Sequence, residues 1–209
     1  MSYFQILENL EHDEQNILND VWYIIAAVVI SSVNKPNDIQ IVYQVISDKI
    51  DKMNHLSKEE KNQLFAKIIL RLREAILKSF VIIGFPKTIN TLQQLANITP
   101  DNIKTLLPTK PIRHTDKVLK NMYNTHPDLA QTALNQLYGP ILSETSILNA
   151  KDTSLITVAG LMIQDIPLQL VGHSHGAIHN GASKDDLMRV EAIVSILADY
   201  YQCYSIAKL

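Results

Sequence analysis

Along Leu64, Ile68, Ile69, Leu72, Ala75, Ile76 and Phe80 the apolar positions recur at helical steps, with polar residues between them. The same spacing runs through nearly every segment, and no hairpin signal interrupts it. The pattern predicts helices near 4–18, 20–33, 38–53, 58–83, 87–97, 115–124, 128–138, 152–164, 166–180 and 184–204. The expectation is an all-α chain in a single domain, a natural arrangement for 209 residues.

Two stretches of the pattern superpose. IQIVYQVISDKID (39–51) runs alongside LQLVGHSHGAIHN (168–180), and the apolar helix 22–33 matches 154–165. The following helices open with Ser57-Lys58-Glu59-Glu60 and Ser183-Lys184-Asp185-Asp186, both capping boxes, and both reach Glu-Ala-Ile, at Glu74 and Glu191. The chain therefore reads as two pseudo-repeated helical units, about 20–83 and 152–204, that share one core. A proline-punctuated wrap over 84–151 joins them.

Composition narrows the function classes. With 46% hydrophobic and 19% charged residues the chain is ordinary globular material, and a net charge of -2 with scattered lysines lacks the electrostatic footprint of a nucleic-acid binder. The longest apolar run, Val21 to Val33, is too short for a bilayer, which needs roughly 20 residues, so no membrane insertion is expected. A single cysteine excludes an internal disulfide, a dithiol pair and a cysteine-built zinc site.

The stretch Leu170 to Ser183, LVGHSHGAIHNGAS, gathers three histidines. On a helix about 166–180, capped by Asp165 and stopped at Asn180-Gly181, His173 shares a face with Gln169, while His175 and His179 flank Gly172 and Gly176. His173 and His175 point about 200° apart on a 3.6-residue helix, which argues against a three-histidine metal site. No metal and no cofactor are expected. The two glycines make a smooth groove for a close-packed partner, either the matching helix or a second subunit.

From His173 to Leu187 the residues resemble the signature of carboxymuconolactone decarboxylase-like proteins, a histidine followed by Gly-Ala-Leu-x-x-Gly-x-Thr and two acids. The wider superfamily includes the alkyl hydroperoxide reductase D peroxidases. The resemblance implies an internally duplicated all-α fold and a homo-oligomer. It covers about 40 residues, 152–191. In the thiol branch a glutamate, a Cys-x-x-Cys pair and a histidine form a proton relay; here Ser154, Ile166 and Gln169 stand where the glutamate and cysteines belong. Thiol peroxidase activity is excluded, because nothing there can form the thiolate.

The decarboxylase branch does without that pair, and the resemblance implies His173 as catalytic acid or base, with Gln169 donating to a carbonyl or carboxylate of a small carboxylated or acyl substrate. Substrate-binding candidates are Lys78 and Glu74, four apart on one helix and otherwise read as a solvated ion pair, with Tyr138 at the pocket mouth and Ser154 at the relay position. The other reading is a catalytically silent, oligomeric binding or scaffold protein that keeps the fold. The final residues, Ala207-Lys208-Leu209, are a conservative variant of the Ser-Lys-Leu address and predict the peroxisomal matrix, with an import receptor as partner. The tripeptide is expected to hang free beyond helix 184–204.

Overall fold

The computed structural model describes residues 5–7, 16–108 and 141–209, with Phe85 through its backbone alone. The described residues form helices and turns without strands, so the chain is all-α as expected. The helices are α1 (Trp22–Ser32), α2 (Ile39–Asp51), α3 (Lys58–Ile83), α4 (Phe85–Ile98), α5 (Asp101–Lys104), α6 (Ala150–Ile163), α7 (Pro167–His179) and α8 (Lys184–Tyr200). A 3₁₀ turn, Pro36–Asp38, leads into α2. The predicted helices at 115–124 and 128–138 lie outside the described residues, and α5 is an addition to the predicted set.

Apolarity decides the order of the layers. Every side chain of α1 is buried, and α6 buries all of its last turns, from Leu155 to Ile163. A helix that is apolar all round has no face to offer water, so it must lie inside. The two sit side by side at the centre, and each packs against both α3 and α8. Gly160 stands at the crossing, where a methyl group in its place would lie 3.4 Å from Ile82 and 3.6 Å from Val28. The amphipathic helices α2 and α4 cover the α1–α3 side, whereas α7 lies mainly on α6.

Helix stops recur. Asn34, Asp165 and Gln202 each take a positive φ of 54° after α1, α6 and α8. The next amide then reaches back to the helix: Lys35 N–H to the Ile30 carbonyl at 3.1 Å, Ile166 to Leu161 at 3.0 Å and Cys203 to Ala198 at 2.9 Å. These bonds satisfy carbonyls that a helix end leaves open. Asn34-Lys35-Pro36 therefore matches Asp165-Ile166-Pro167, which corrects the register of the two units. Ile39 corresponds to Leu170 and not to Leu168; Val42 corresponds to His173, and Ile46 to Ala177. Burial agrees, since Ile39, Ile46, Leu170 and Ala177 are all buried. Both capping boxes form, through Ser57 with Glu60 and Ser183 with Asp186.

Two ion pairs cross between the units. Arg71 on α3 holds Asp152 on α6 at 3.0 Å, and Arg189 on α8 holds Asp20, before α1, at 2.7 Å. Arg71 also donates Nε–H to the Tyr23 hydroxyl at 2.7 Å. The Tyr23 hydroxyl donates in turn to the Leu18 carbonyl at 2.8 Å. Asp20 accepts from the Val21 amide at 2.7 Å. Burial pushes the Tyr23 phenol well above its ordinary value of 10.0, so it stays a neutral donor and acceptor.

Asp152→Ala leaves the buried Arg71 charge without its carboxylate and is expected to cost about 3–5 kcal/mol in urea unfolding. The paired change Arg71→Met with Asp152→Leu removes both charges and is expected to recover most of that loss. A loss below about 1 kcal/mol for Asp152→Ala would show that the bridge does not hold the units together.

Candidate functional site

Helix α7 positions His173, and Pro167 in its first turn lacks the N–H that a helix start leaves unbonded anyway. Asp165 does not cap this helix: the N-cap is Ile166, without a side-chain cap, and the Asp165 carboxylate takes the Ser205 hydroxyl instead. Asp165 itself takes a positive φ of 54°. Leu170 and Ala177 anchor the buried face, and His173 lies beside them, half-buried. Burial holds its imidazole below the ordinary 6.5, so the ring is neutral at pH 7. Among the described residues it makes no hydrogen bond. Gln169, one turn earlier, is exposed.

Lys78 and Glu74 are not a solvated pair. Lys78 is fully buried and Glu74 is 5% exposed. The Lys78 ammonium donates to the Leu142 carbonyl at 3.1 Å, to the Glu144 carbonyl and to the Thr153 hydroxyl at 2.9 Å. It ties the stretch before α6 to α3. Ser154 donates to the Ala150 carbonyl at 2.9 Å and accepts from Asn180 at 2.8 Å, joining the start of α6 to the end of α7. Tyr138 lies outside the described residues.

Gly172 and Gly176 have no atom within 4 Å of where a Cβ would stand, so neither packs against the matching helix. They point outward with His175 and His179, among Leu168 (87% exposed), Val171 (61%) and Ile178 (42%). Two clefts lined by described residues lie elsewhere, near α4 and α5. The larger, about 480 Å³, is bounded by Arg73, Leu92, Leu95, Thr99, Lys104 and Leu107. The smaller, about 220 Å³, runs from Gln63 to Leu107. Neither reaches His173 or Gln169.

No family model and no solved structure matches the chain. Two curated proteins do. Peroxisomal protein 2 of Schizosaccharomyces pombe is 31% identical over 193 residues, covering 82% of each chain. The protein of the same name from Saccharomyces cerevisiae is 26% identical, over 88% of this chain and 89% of its own. The chain belongs to the Peroxisomal protein 2 family. It is a peroxisomal protein, as its final tripeptide led us to expect.

In this family member the tripeptide does not hang free. Helix α8 ends at Tyr200, and the tail folds back so that the Ala207 amide bonds the Met162 carbonyl at 3.0 Å and Ala207 itself is buried. Sequence reasoning also missed Arg71, Asp152, Asp20 and Arg189. The available signal was a charge inside an apolar helical pattern, Arg71 beside Leu70 and Leu72, and an aspartate at the head of both apolar helices.

A histidine neutral in the fold but free to protonate when unfolded makes the unfolded state bind more protons below pH 6.5. Stability is therefore present above the ordinary value of 6.5 and is lost as pH falls from there toward the lowered value. Thermal melts from pH 7 to 5 are expected to fall more steeply for the wild type than for His173→Gln, by less than about 1.4 kcal/mol per pH unit, the limit for one proton. Parallel curves would place His173 in an ordinary aqueous environment.

Proposed function

We propose that this Peroxisomal protein 2 relative is a carboxymuconolactone decarboxylase-like protein of the peroxisomal matrix, performing cofactor-free acid/base chemistry on a small carboxylated or acyl substrate with His173. One observation carries the reading. Where the first unit fills the matching place with fully buried Val42, the second places a half-buried, neutral histidine that makes no hydrogen bond among the described residues. An ionisable group at a position that packing would fill with an apolar one is a candidate for chemistry. The helix stops and capping boxes shared by the two units support the duplicated fold that this resemblance implies.

The chemistry asks for little else. In a decarboxylation the carbon–carboxyl bond breaks, CO2 leaves, the electron pair passes into the adjacent carbonyl system as an enolate, and carbon takes up a proton drawn from water. An isomerisation passes through the same enolate by removing a proton from carbon. Neutral His173 accepts that proton in the second case; once protonated from solvent it delivers one in the first. Gln169, exposed one turn away, is suited to donate to a substrate carboxylate, whereas Lys78 serves to fix the chain before α6.

With γ-lactone carboxylates and β-oxo acids as candidate substrates, His173→Ala is expected to lower kcat by about 10²–10⁴-fold with the fold unchanged by circular dichroism. Turnover that survives His173→Ala would sink the assigned role. No turnover of any such compound by the wild type would favour the second reading, a silent oligomeric binding or scaffold protein.

A homo-oligomer is part of both readings, and the outer surface supports it. Leu168, Val171 and Ile178 on α7, and Met188 (59% exposed), Ile196 (42%) and Tyr200 (43%) on α8, leave apolar side chains in water. Exposed apolar side chains gathered on one helix, as Leu168, Val171 and Ile178 are on α7, suit an association site. Leu168→Asp combined with Val171→Asp is expected to turn the wild-type assembly into a monomer in light scattering, with helicity retained. A monomeric wild type, or an unchanged assembly in the variant, removes α7 from the interface.

A further inference from the structure

The C-terminal tail is bound to its own fold. After the stop at Gln202, Tyr204 projects fully into solvent, yet the residues beyond it return to the protein. The Ser205 hydroxyl donates to the Asp165 carboxylate, at the turn between α6 and α7. Ile206 packs against the core, and Ala207 is 4% exposed. The Ala207 amide donates at 3.0 Å to the Met162 carbonyl, near the end of α6, which also accepts from the Asp165 amide at 3.0 Å. Lys208 reaches Ser195 on α8 at 3.4 Å, and Leu209 remains 45% exposed.

We infer that Ala207-Lys208-Leu209 is an intramolecularly latched import address, exposed to its receptor after Ser205–Ala207 peels away from Asp165 and Met162. The inference rests on reading the tripeptide as the address. A receptor that reads a small residue, a basic residue and a leucine at a chain end must surround all three side chains and their backbone. Here the first of the three is buried, and its N–H is already bonded. Receptor binding and the latch therefore compete for the same atoms. The apparent affinity of the protein is its intrinsic affinity multiplied by the fraction of molecules with the tail released.

The latch is built to open. Among the described residues it closes through three hydrogen bonds, from the Ser205 hydroxyl to the Asp165 carboxylate, from the Ala207 amide to the Met162 carbonyl and, longer, from Lys208 to the Ser195 hydroxyl, and through the burial of Ile206 and one alanine methyl; it is not part of a helix. Chain ends held by so few contacts open far more readily than the core does. Asp165 supplies the anchoring carboxylate from a backbone conformation that glycine also adopts freely.

The test is a binding titration with the purified tripeptide-binding domain of a peroxisomal import receptor. The ligands are the full-length protein, its Asp165→Gly and Ser205→Ala variants, and a free peptide spanning residues 200–209. The free peptide is expected to bind about 10-fold or more tightly than the full-length protein. Both variants are expected to close most of that gap, and the Ala207 amide to exchange its hydrogen faster in each. Ser205→Ala, also made in the free peptide, separates release of the latch from any direct effect of Ser205 on the receptor. Equal binding of peptide and wild-type protein, or variants that leave the gap unchanged, overturns the latch while the address stands. A free peptide that does not bind at all overturns the address itself.

Discussion

The fold leans on two arginine–aspartate bridges, one buried and one half-buried, that run between the units in opposite directions. Arg71 of the first unit holds Asp152 of the second, and Arg189 of the second holds Asp20 of the first. Charges taken out of water are costly, and the pairing is helped by further bonds on two of the four groups: the Val21 amide donates to Asp20, and Arg71 donates to the Tyr23 hydroxyl. Apolar packing of α1 against α6 supplies the attraction between the units but specifies position loosely, since one apolar helix face resembles another. The bridges fix which end of α1 meets which end of α3, α6 and α8.

The single most readable element was α3. Its Ser57 capping box, its apolar spacing and the glycine after Ile83 mark both ends, and the observed bounds, Lys58–Ile83, agree with the expected 58–83. What the sequence hid is partnership across the chain. Glu74 and Lys78 are four residues apart on a helix, and that spacing reads as a surface pair; the partners that make Lys78 a buried clamp are carbonyls of Leu142 and Glu144, and a backbone oxygen has no signature in a sequence. Asp165 looked like a cap for α7 because acids precede helices, but its positive φ and the Ser205 hydroxyl, both consequences of tertiary structure, claim it for another task.

For the site itself, the side-by-side reading of the two units carried the most information once its register was right. Matching IQIVYQVISDKID to LQLVGHSHGAIHN by apolar letters set His173 against Gln44, a polar position with nothing unusual about it. The shared helix stop and proline set it against Val42, and the contrast between an aliphatic and an ionisable side chain at one core position becomes visible. The glycines misled in a similar way. Their spacing suggests a groove for a neighbouring helix, yet α7 turns them outward, because Leu170 and Ala177 are the residues that α6 covers.

The bridge from Asp20 to Arg189 joins residues 169 positions apart, and that from Arg71 to Asp152 joins residues 81 apart. A chain emerging from the ribosome can form α1 to α4 early, but Asp20 stays without Arg189 until α8 has been made. The domain therefore closes late, in the same interval in which Ala207-Lys208-Leu209 appears. Pairings of such long range also make folding slow. Completion of the last bridge and arrival of the tail are, for this protein, nearly one event, and Ala207 settles on the Met162 carbonyl once α6 and α8 have packed.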